Sequence, residues 1–272
     1  MSGGSLLRAG RTLIGAVLTP SGAPWARRRK RLAGGTVTVL LGLLVAGGAA
    51  AFAASQASDV PTKDRAAIEA VVRDYILEHP EIVREAMVKL EKNRVAALVD
   101  ENRAALETPF AGAWEGAAKP QVTLVAFMDY ACGYCRATVP TIARLLKEDP
   151  GLRVVYHELP IISQESVPAA RVSLYAAETG HFPAFHQAMY SGEGVDKAAV
   201  IDAAKKAGLD LNKVKTEFDN AGRNPVISQS IRLAQSLEAE GTPLLVVGDQ
   251  IFYGAVSYDT LKAAIDAARK RG

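Results

Sequence analysis

Gln121-Val122-Thr123-Leu124-Val125-Ala126-Phe127-Met128-Asp129-Tyr130-Ala131-Cys132-Gly133-Tyr134-Cys135 decides the fold. Its first eight residues are a short apolar, β-branched run, the pattern of a buried strand. Two cysteines, the only two in the chain, follow at once with two residues between them. Residues 137–147 then place Val139, Ile142, Leu145 and Leu146 at helical spacing, and residues 152–159 form a second strand-like run. Strand, CxxC, helix, strand is a right-handed crossover that sets the two strands parallel. The cysteines then stand exposed where the first strand hands over to the helix.

A single cysteine pair leaves nothing else to staple, so it is not a disulfide framework. Haem attachment needs a histidine after the second cysteine, and Arg136 stands there. A structural zinc needs two more ligands, and His157, His181 and His186 have no matching spacing. What remains is a dithiol that opens and closes as its chemistry. Unpaired N–H groups and the macrodipole at a helix N-terminus favour negative charge on the nearer sulfur. Cys132 is therefore expected to attack, and Cys135, one turn inside the helix, to resolve the mixed disulfide. Gly133 and Tyr134 add no positive charge between them, which points to a less extreme oxidant than a pair with a histidine there.

Downstream, residues 167–179, 183–190, 197–207, 211–220 and 225–240 read as five helices separated by glycines. Thr242 to Gly254 reads as two short strands around a Gly248-Asp249 turn, and residues 258–269 as a closing amphipathic helix. Pro243 opens a strand without a donor N–H. In the cis form it presents the Thr242 main chain to an extended substrate beside the thiols; an ordinary trans proline is the plain alternative. Upstream, residues 63–107 look helical with a break at His79-Pro80. Ile68, Val71, Val72, Tyr75 and Ile76, then Val83, Met87 and Leu90, then Val95, Leu98 and Val99, form apolar stripes opposite a charged face. Such a helix buries its stripe on the same chain or on another copy. Residues 108–120, rich in Gly and Pro, read as a linker.

Residues 1–31 hold seven basic side chains and no acidic one, so the rest of the chain, with 25 basic and 29 acidic residues, is mildly acidic. Nucleic-acid binding by the body is not suggested. The basic cluster Arg27–Arg31 precedes 27 uncharged residues, Leu32 to Ser58. This reads as an export signal, with Ala51-Phe52-Ala53 as a cleavage site, or as an anchor over residues 33–54. Either places the body outside the cytoplasm, in the periplasm or cell envelope, where dithiols can be held oxidised. Residues 1–58 are thus expected to be a disordered basic N-terminus plus signal peptide or membrane anchor.

Phe127 to Cys135, the helical stretch and Gly241-Thr242-Pro243 together resemble the DsbA-like thioredoxin-fold family of thiol–disulfide oxidoreductases over about residues 120–270. The resemblance implies an α/β thioredoxin fold (β-α-β, then ββα) over 121–272, interrupted by a helical insertion at about 166–240. It implies Cys132 as nucleophile, Cys135 as resolving thiol, Pro243 as a cis-proline with Thr242 beside the substrate, and no cofactor or metal beyond the redox-active disulfide. Tyr75-Ile76-Leu77-Glu78-His79-Pro80-Glu81-Ile82-Val83 resembles the helical extension of the copper-tolerance ScsC subgroup, which places an oligomerisation segment in residues 59–107. That subgroup is associated with disulfide shuffling.

The family often places a buried acid six residues before the first cysteine, where this chain has Ala126. Asp129 and Glu158 are the acids available to relay a proton, against a turn-capping role for Asp129 and an ion pair for Glu158. The expected partners are client proteins with thiols or disulfides, a membrane redox partner and further copies of the chain. The competing function is an extracytoplasmic copper-handling or chaperone-like protein, since paired thiolates suit cuprous copper. His181 and His186 read as ordinary surface or core histidines, and Tyr130 and Phe127 as packing residues.

Overall fold

The structure, a computed structural model, describes residues 62–222 and 224–271. The expected leader and the signal or anchor in residues 1–58 lie outside the described residues. The chain divides into two compact units, Met1–Val71 and Val72–Gly272. In the first, the described residues 62–71 begin helix α1 (Thr62–Glu78). The second holds the rest of α1 and α2 (Glu81–Glu107), whose N-cap is Pro80, at the break the sequence predicts. Among the described residues no helix is long and apolar enough to cross a membrane.

After α2 come β1 (Trp114–Gly116), β2 (Val122–Met128), α3 (Gly133–Glu148) and β3 (Leu152–Glu158). Five helices follow: α4 (Ser166–Glu178), α5 (Phe182–Ser191), α6 (Lys197–Lys206), α7 (Leu211–Asp219) and α8 (Pro225–Ser236). The chain closes with β4 (Leu244–Val247), β5 (Gln250–Tyr253) and α9 (Tyr258–Arg269). The sheet order is β1-β3-β2-β4-β5, with β2 and β3 parallel and every other pair antiparallel. This is the expected β-α-β unit followed by ββα, with the helical insertion between them.

β2 reads as a continuous apolar run because both its faces are covered. Leu124, Ala126 and Met128 join the larger core, with Cys135, Ile142 and Leu145 of α3 and Leu261 and Ile265 of α9. Val125 and Phe127 turn to the other side, onto Val99 and Leu106 of α2 and Leu233 of α8. β4 alternates in the same way, with Leu245 and Val247 on one face and Leu244 and Val246 on the other. Helix starts in the insertion follow side-chain capping: Asp196, Asp210 and Asn224 each accept backbone N–H bonds from the first turn that follows.

Three expectations change. Residues 108–120 are not a free linker: Trp114 pairs with Val155 and Gly116 with Arg153, making β1 a sheet edge. Gly116 has φ +94°, and a Cβ there would lie 2.3 Å from the Leu152 carbonyl oxygen, so only glycine allows this approach. The apolar stripes of residues 63–107 divide their roles. Val99 and Leu106 are buried on the same chain's sheet, whereas Ile68, Val72, Tyr75, Val83, Met87 and Leu90 are exposed. Helix α8 stops at Ser236 rather than near 240, because Glu238 takes φ +57°. Its N–H donates to Gln235 O and that of Ala239 to Ala234 O, the Schellman pattern with glutamate in the usual glycine position.

Because Leu106 is fully buried against β2 and α8, Leu106→Ala is expected to lower unfolding free energy in urea by about 2–5 kcal/mol. A loss below about 0.5 kcal/mol would mean that the C-terminal half of α2 is not part of the catalytic body's core.

Candidate active site

Cys132 is the N-cap of α3. Its φ of −84° and ψ of 118° turn the strand-side chain into the helix, and its sulfur accepts the Cys135 backbone N–H at 3.4 Å. The Cys132 N–H is held by Asp129 O at 3.0 Å, and Arg136 N–H donates to Cys132 O at 3.1 Å. The attacking sulfur therefore rests on a helix N-terminus, where negative charge is favoured. From the other side, the Cys132 thiol donates to Thr242 O at 3.2 Å. The Thr242–Pro243 peptide is cis. One contact thus joins residues 110 positions apart, and the sequence-predicted Cys132, Cys135, Thr242 and Pro243 come together at one end of the sheet.

The thiols are more enclosed than their junction position suggests: Cys132 is 6% exposed and Cys135 fully buried. Burial pushes the Cys135 thiol up to about 12, against the lowering effect of the Asp129 main chain and the Thr242 side chain. At neutral pH Cys135 keeps its proton, which leaves Cys132 as the nucleophile. Both thiols are free in the structure, which is the reduced form of the couple.

Asp129 and Glu158 are both buried, but neither carboxylate is hydrogen-bonded to a sulfur among the described contacts. The Asp129 oxygens accept four donors: Ala131 N–H and Ser166 Oγ on Oδ1, Ile161 N–H and Ile162 N–H on Oδ2, all within 2.7–2.8 Å. Those bonds hold the loop before Cys132 against the loop after β3. Glu158 Oε1 accepts from Ser173 Oγ at 2.6 Å and Tyr130 OH at 3.3 Å, with no ion pair among the described residues. Burial pushes Glu158 up to about 8, partly offset by these two hydroxyls and reinforced by the Asp129 charge. Ala126 is fully buried in the apolar core.

The sequence did not foresee how these groups connect. Tyr130, expected only to pack, bonds Ser173 Oγ at 2.8 Å, His186 Nδ1 at 3.2 Å and Glu158. His186 is a core histidine as expected. Burial pushes it down to about 3, and its Nε2 has no hydrogen-bond partner among the described residues. Its ring centroid is 4.9 Å from that of Tyr190. Arg136, beside Cys135, donates to the carbonyls of Tyr190 and Gly192 and so ties the active-site helix to the insertion. The only signal for this cluster was the run of polar and aromatic residues at 130, 156, 158, 186 and 190, which one sequence cannot pair.

The DSBA-like thioredoxin domain matches residues 123–266, which encloses the cysteines, the insertion and the cis-proline. The chain belongs to this family of thioredoxin-fold oxidoreductases. Residues 64–97 match the N-terminal domain of the copper resistance protein ScsC. A thioredoxin-like oxidoreductase from Silicibacter pomeroyi is 37% identical, covering 62% of this chain and 98% of its own, with a TM-score of 0.58. The thiol-disulfide exchange protein alpha-DsbA2 from Wolbachia pipientis is 26% identical, covering 65% of this chain and 97% of its own, at 0.59. Among curated proteins, Na(+)/H(+) antiporter NhaA 1 of Salinispora arenicola is 26% identical over 158 residues. The match takes in 56% of this chain, which spans only 24% of that relative's length.

Glu158 has a pH signature. The folded carboxyl keeps its proton to about pH 8, while the unfolded one loses it near ~4.3, so the folded state binds more protons in between and stability falls as pH rises. His186 acts the opposite way: it is neutral when folded but charged when unfolded below ~6.5, so its contribution is lost as pH falls toward 3. Glu158→Gln removes only the first effect. The variant is expected to gain on the order of 3 kcal/mol over the wild type between pH 5 and pH 8, read by urea unfolding. Parallel profiles would mean that Glu158 ionises normally in the folded chain.

Proposed function

We propose that this protein is an exported thiol–disulfide oxidoreductase that forms or shuffles disulfides in extracytoplasmic proteins. The observation that carries the reading is the Cys132 sulfur held between a helix N-terminus and the Thr242 carbonyl, with a protonated Cys135 one turn behind. In the forming direction, a client thiolate attacks the Cys132 sulfur of the Cys132–Cys135 disulfide. That S–S bond breaks, and Cys135 leaves as a thiolate that takes up a proton. A second client thiolate then attacks the client sulfur of the mixed disulfide, so that Cys132 departs as thiolate. The client has lost two electrons and the protein's disulfide has gained them. In shuffling, the reduced Cys132 attacks a client disulfide and is later released by another client thiol. A membrane redox partner returns the pair to its working state.

The site supports protein clients. Tyr134, Ile161 and Ile162 are exposed beside Cys132, and the last two are tied to it through Asp129. An apolar rim of this kind suits an unfolded segment that exposes its own side chains. Location outside the cytoplasm is supported by the basic, then apolar, N-terminal sequence, and by likeness to a periplasmic thioredoxin-like protein of Salmonella enterica. The exposed apolar residues of α1 and the first half of α2 support self-association through residues 63–107. Oligomers suit shuffling, because several Cys132 thiols then face one client.

Cys132→Ala is expected to abolish oxidation of a reduced protein substrate by the oxidised chain, and full activity in that variant would refute the dithiol reading. A light-scattering mass for residues 59–272 should be a multiple of the chain mass; a monomer would refute self-association through the extension.

A further inference from the structure

One buried acid has no part in the thiol chemistry described above. The parallel register sets Glu158, the last residue of β3, opposite Met128, the last residue of β2 and four residues before Cys132. Glu158 is 5% exposed. Its Oε1 accepts from Ser173 of α4 and from Tyr130 of the loop that carries the cysteines. Its Oε2 makes no hydrogen bond among the described residues, so a proton there displaces no partner.

No ion pair among the described residues neutralises this carboxyl. Tyr130 and Asp129 bear on it from the cysteine loop and Ser173 from α4, and His186 and Tyr190 of α5 close the cluster behind Tyr130. Burial keeps His186 neutral, and the Asp129 charge adds to burial in opposing a second negative charge on Glu158. Arg136 of α3 and Arg171 of α4 turn their guanidinium groups to main-chain carbonyls, those of Tyr190 and Gly192 and those of Asn220 and Gly222. The cluster also reaches the thiols. Tyr130 stands two residues before Cys132, and its ring centroid is 5.0 Å from that of Tyr190. Burial raises the Tyr190 phenol, and charge on Cys135, then on Tyr130 and on Glu158, raises it further. That phenol therefore lies within electrostatic range of both the resolving sulfur and the buried acid. Reducing the disulfide adds two electrons. Each electron not matched by a proton leaves a negative sulfur, and in a buried site that charge repels an ionised Glu158 beyond contact distance.

We infer that Glu158 is the proton-linked partner of the dithiol, holding its proton while a sulfur carries charge and releasing it when the disulfide re-forms. It tunes the couple through the cluster without touching either sulfur. Where Glu158 titrates, reduction by client thiols takes up two electrons. One proton goes to Cys135 and a fraction of one to Glu158, and Cys132 is left as thiolate. The oxidising strength of the pair therefore falls more steeply as pH rises through that titration than the thiols alone would make it. The coupling rests on the redox reading above, since it exists only if Cys132 and Cys135 cycle.

The test uses the full chain and its Glu158→Gln variant, each equilibrated with glutathione buffers at about pH 6.5 and about pH 9.5. Glutamine has nearly the same shape and keeps an acceptor for Ser173 and Tyr130. Glutathione and the other titrating groups act alike on both chains, so the ratio of the two equilibrium constants isolates Glu158. The ratio for forming reduced protein, wild type over variant, is expected to fall about threefold from the lower to the higher pH. By linkage, the Glu158 carboxyl of the wild type, followed by its infrared or carbon-13 signal, should titrate ~0.5 pH unit higher in the reduced chain than in the oxidised one. A ratio that does not change with pH, or a carboxyl midpoint equal in the two redox states, would overturn the coupling. If glutathione neither oxidises nor reduces the pair, the redox reading itself fails and takes the coupling with it.

Discussion

The position of one sulfur governs the rest of the site. Cys132 caps α3, so its side chain meets the first unpaired N–H groups of the helix, and its thiol meets the carbonyl of Thr242 from a strand more than a hundred residues away. Neither contact survives alone. The helix must start at Gly133 to aim its N-terminus, and β4 must lie antiparallel to β2 to bring Thr242 alongside. β2 supplies both constraints, since it leads into the cysteine and pairs with β4. Its burial on two faces is what makes the arrangement rigid.

The two thiols then differ for physical reasons. Cys132 has a helix N-terminus and is the less deeply buried of the two. Cys135 is sealed in the apolar core, and burial raises its pKa to about 12. A sealed partner that holds its proton is a poor competitor for clients but a ready resolving group once a mixed disulfide brings the two sulfurs into reaction. With the Asp129 carboxylate saturated by four donors, the groups that lower the Cys135 pKa against its burial are the Asp129 main chain and the Thr242 side chain. The buried Tyr130–Glu158–Ser173–His186 cluster stands beside the loop that carries the cysteines, and it holds an acid that titrates near neutral pH.

Much of this was legible in the sequence. β2 was visible as an apolar run, the CxxC by its spacing, and the five insertion helices by their pattern and the glycines that separate them, because each signal is local. The long-range partner of the thiols was indicated by the family resemblance, since Pro243 taken alone also fits an ordinary trans peptide at a strand start. What escaped notice depends on tertiary pairing. β1 is three residues long and gains its partner only when Trp114 meets Val155. The end of α8 depends on Glu238 accepting a left-handed conformation, which its residue type does not advertise. Tyr130 looked like a packing residue and His186 like an ordinary surface or core histidine because their partners lie 28 to 56 positions away. Residues 63–107 carried a stripe whose two halves have different fates, and nothing in the repeat distinguishes Leu90 from Leu106.

The most direct measurement is to trap the mixed disulfide. Reduced Cys135→Ser and Cys132→Ser variants are each incubated with a disulfide-containing peptide at neutral pH and weighed intact by mass spectrometry. The Cys135→Ser protein should accumulate a stable adduct of one peptide on Cys132, and the Cys132→Ser protein should form almost none. An adduct that forms as readily on Cys135, or none on Cys132, would contradict the polarity on which the mechanism rests.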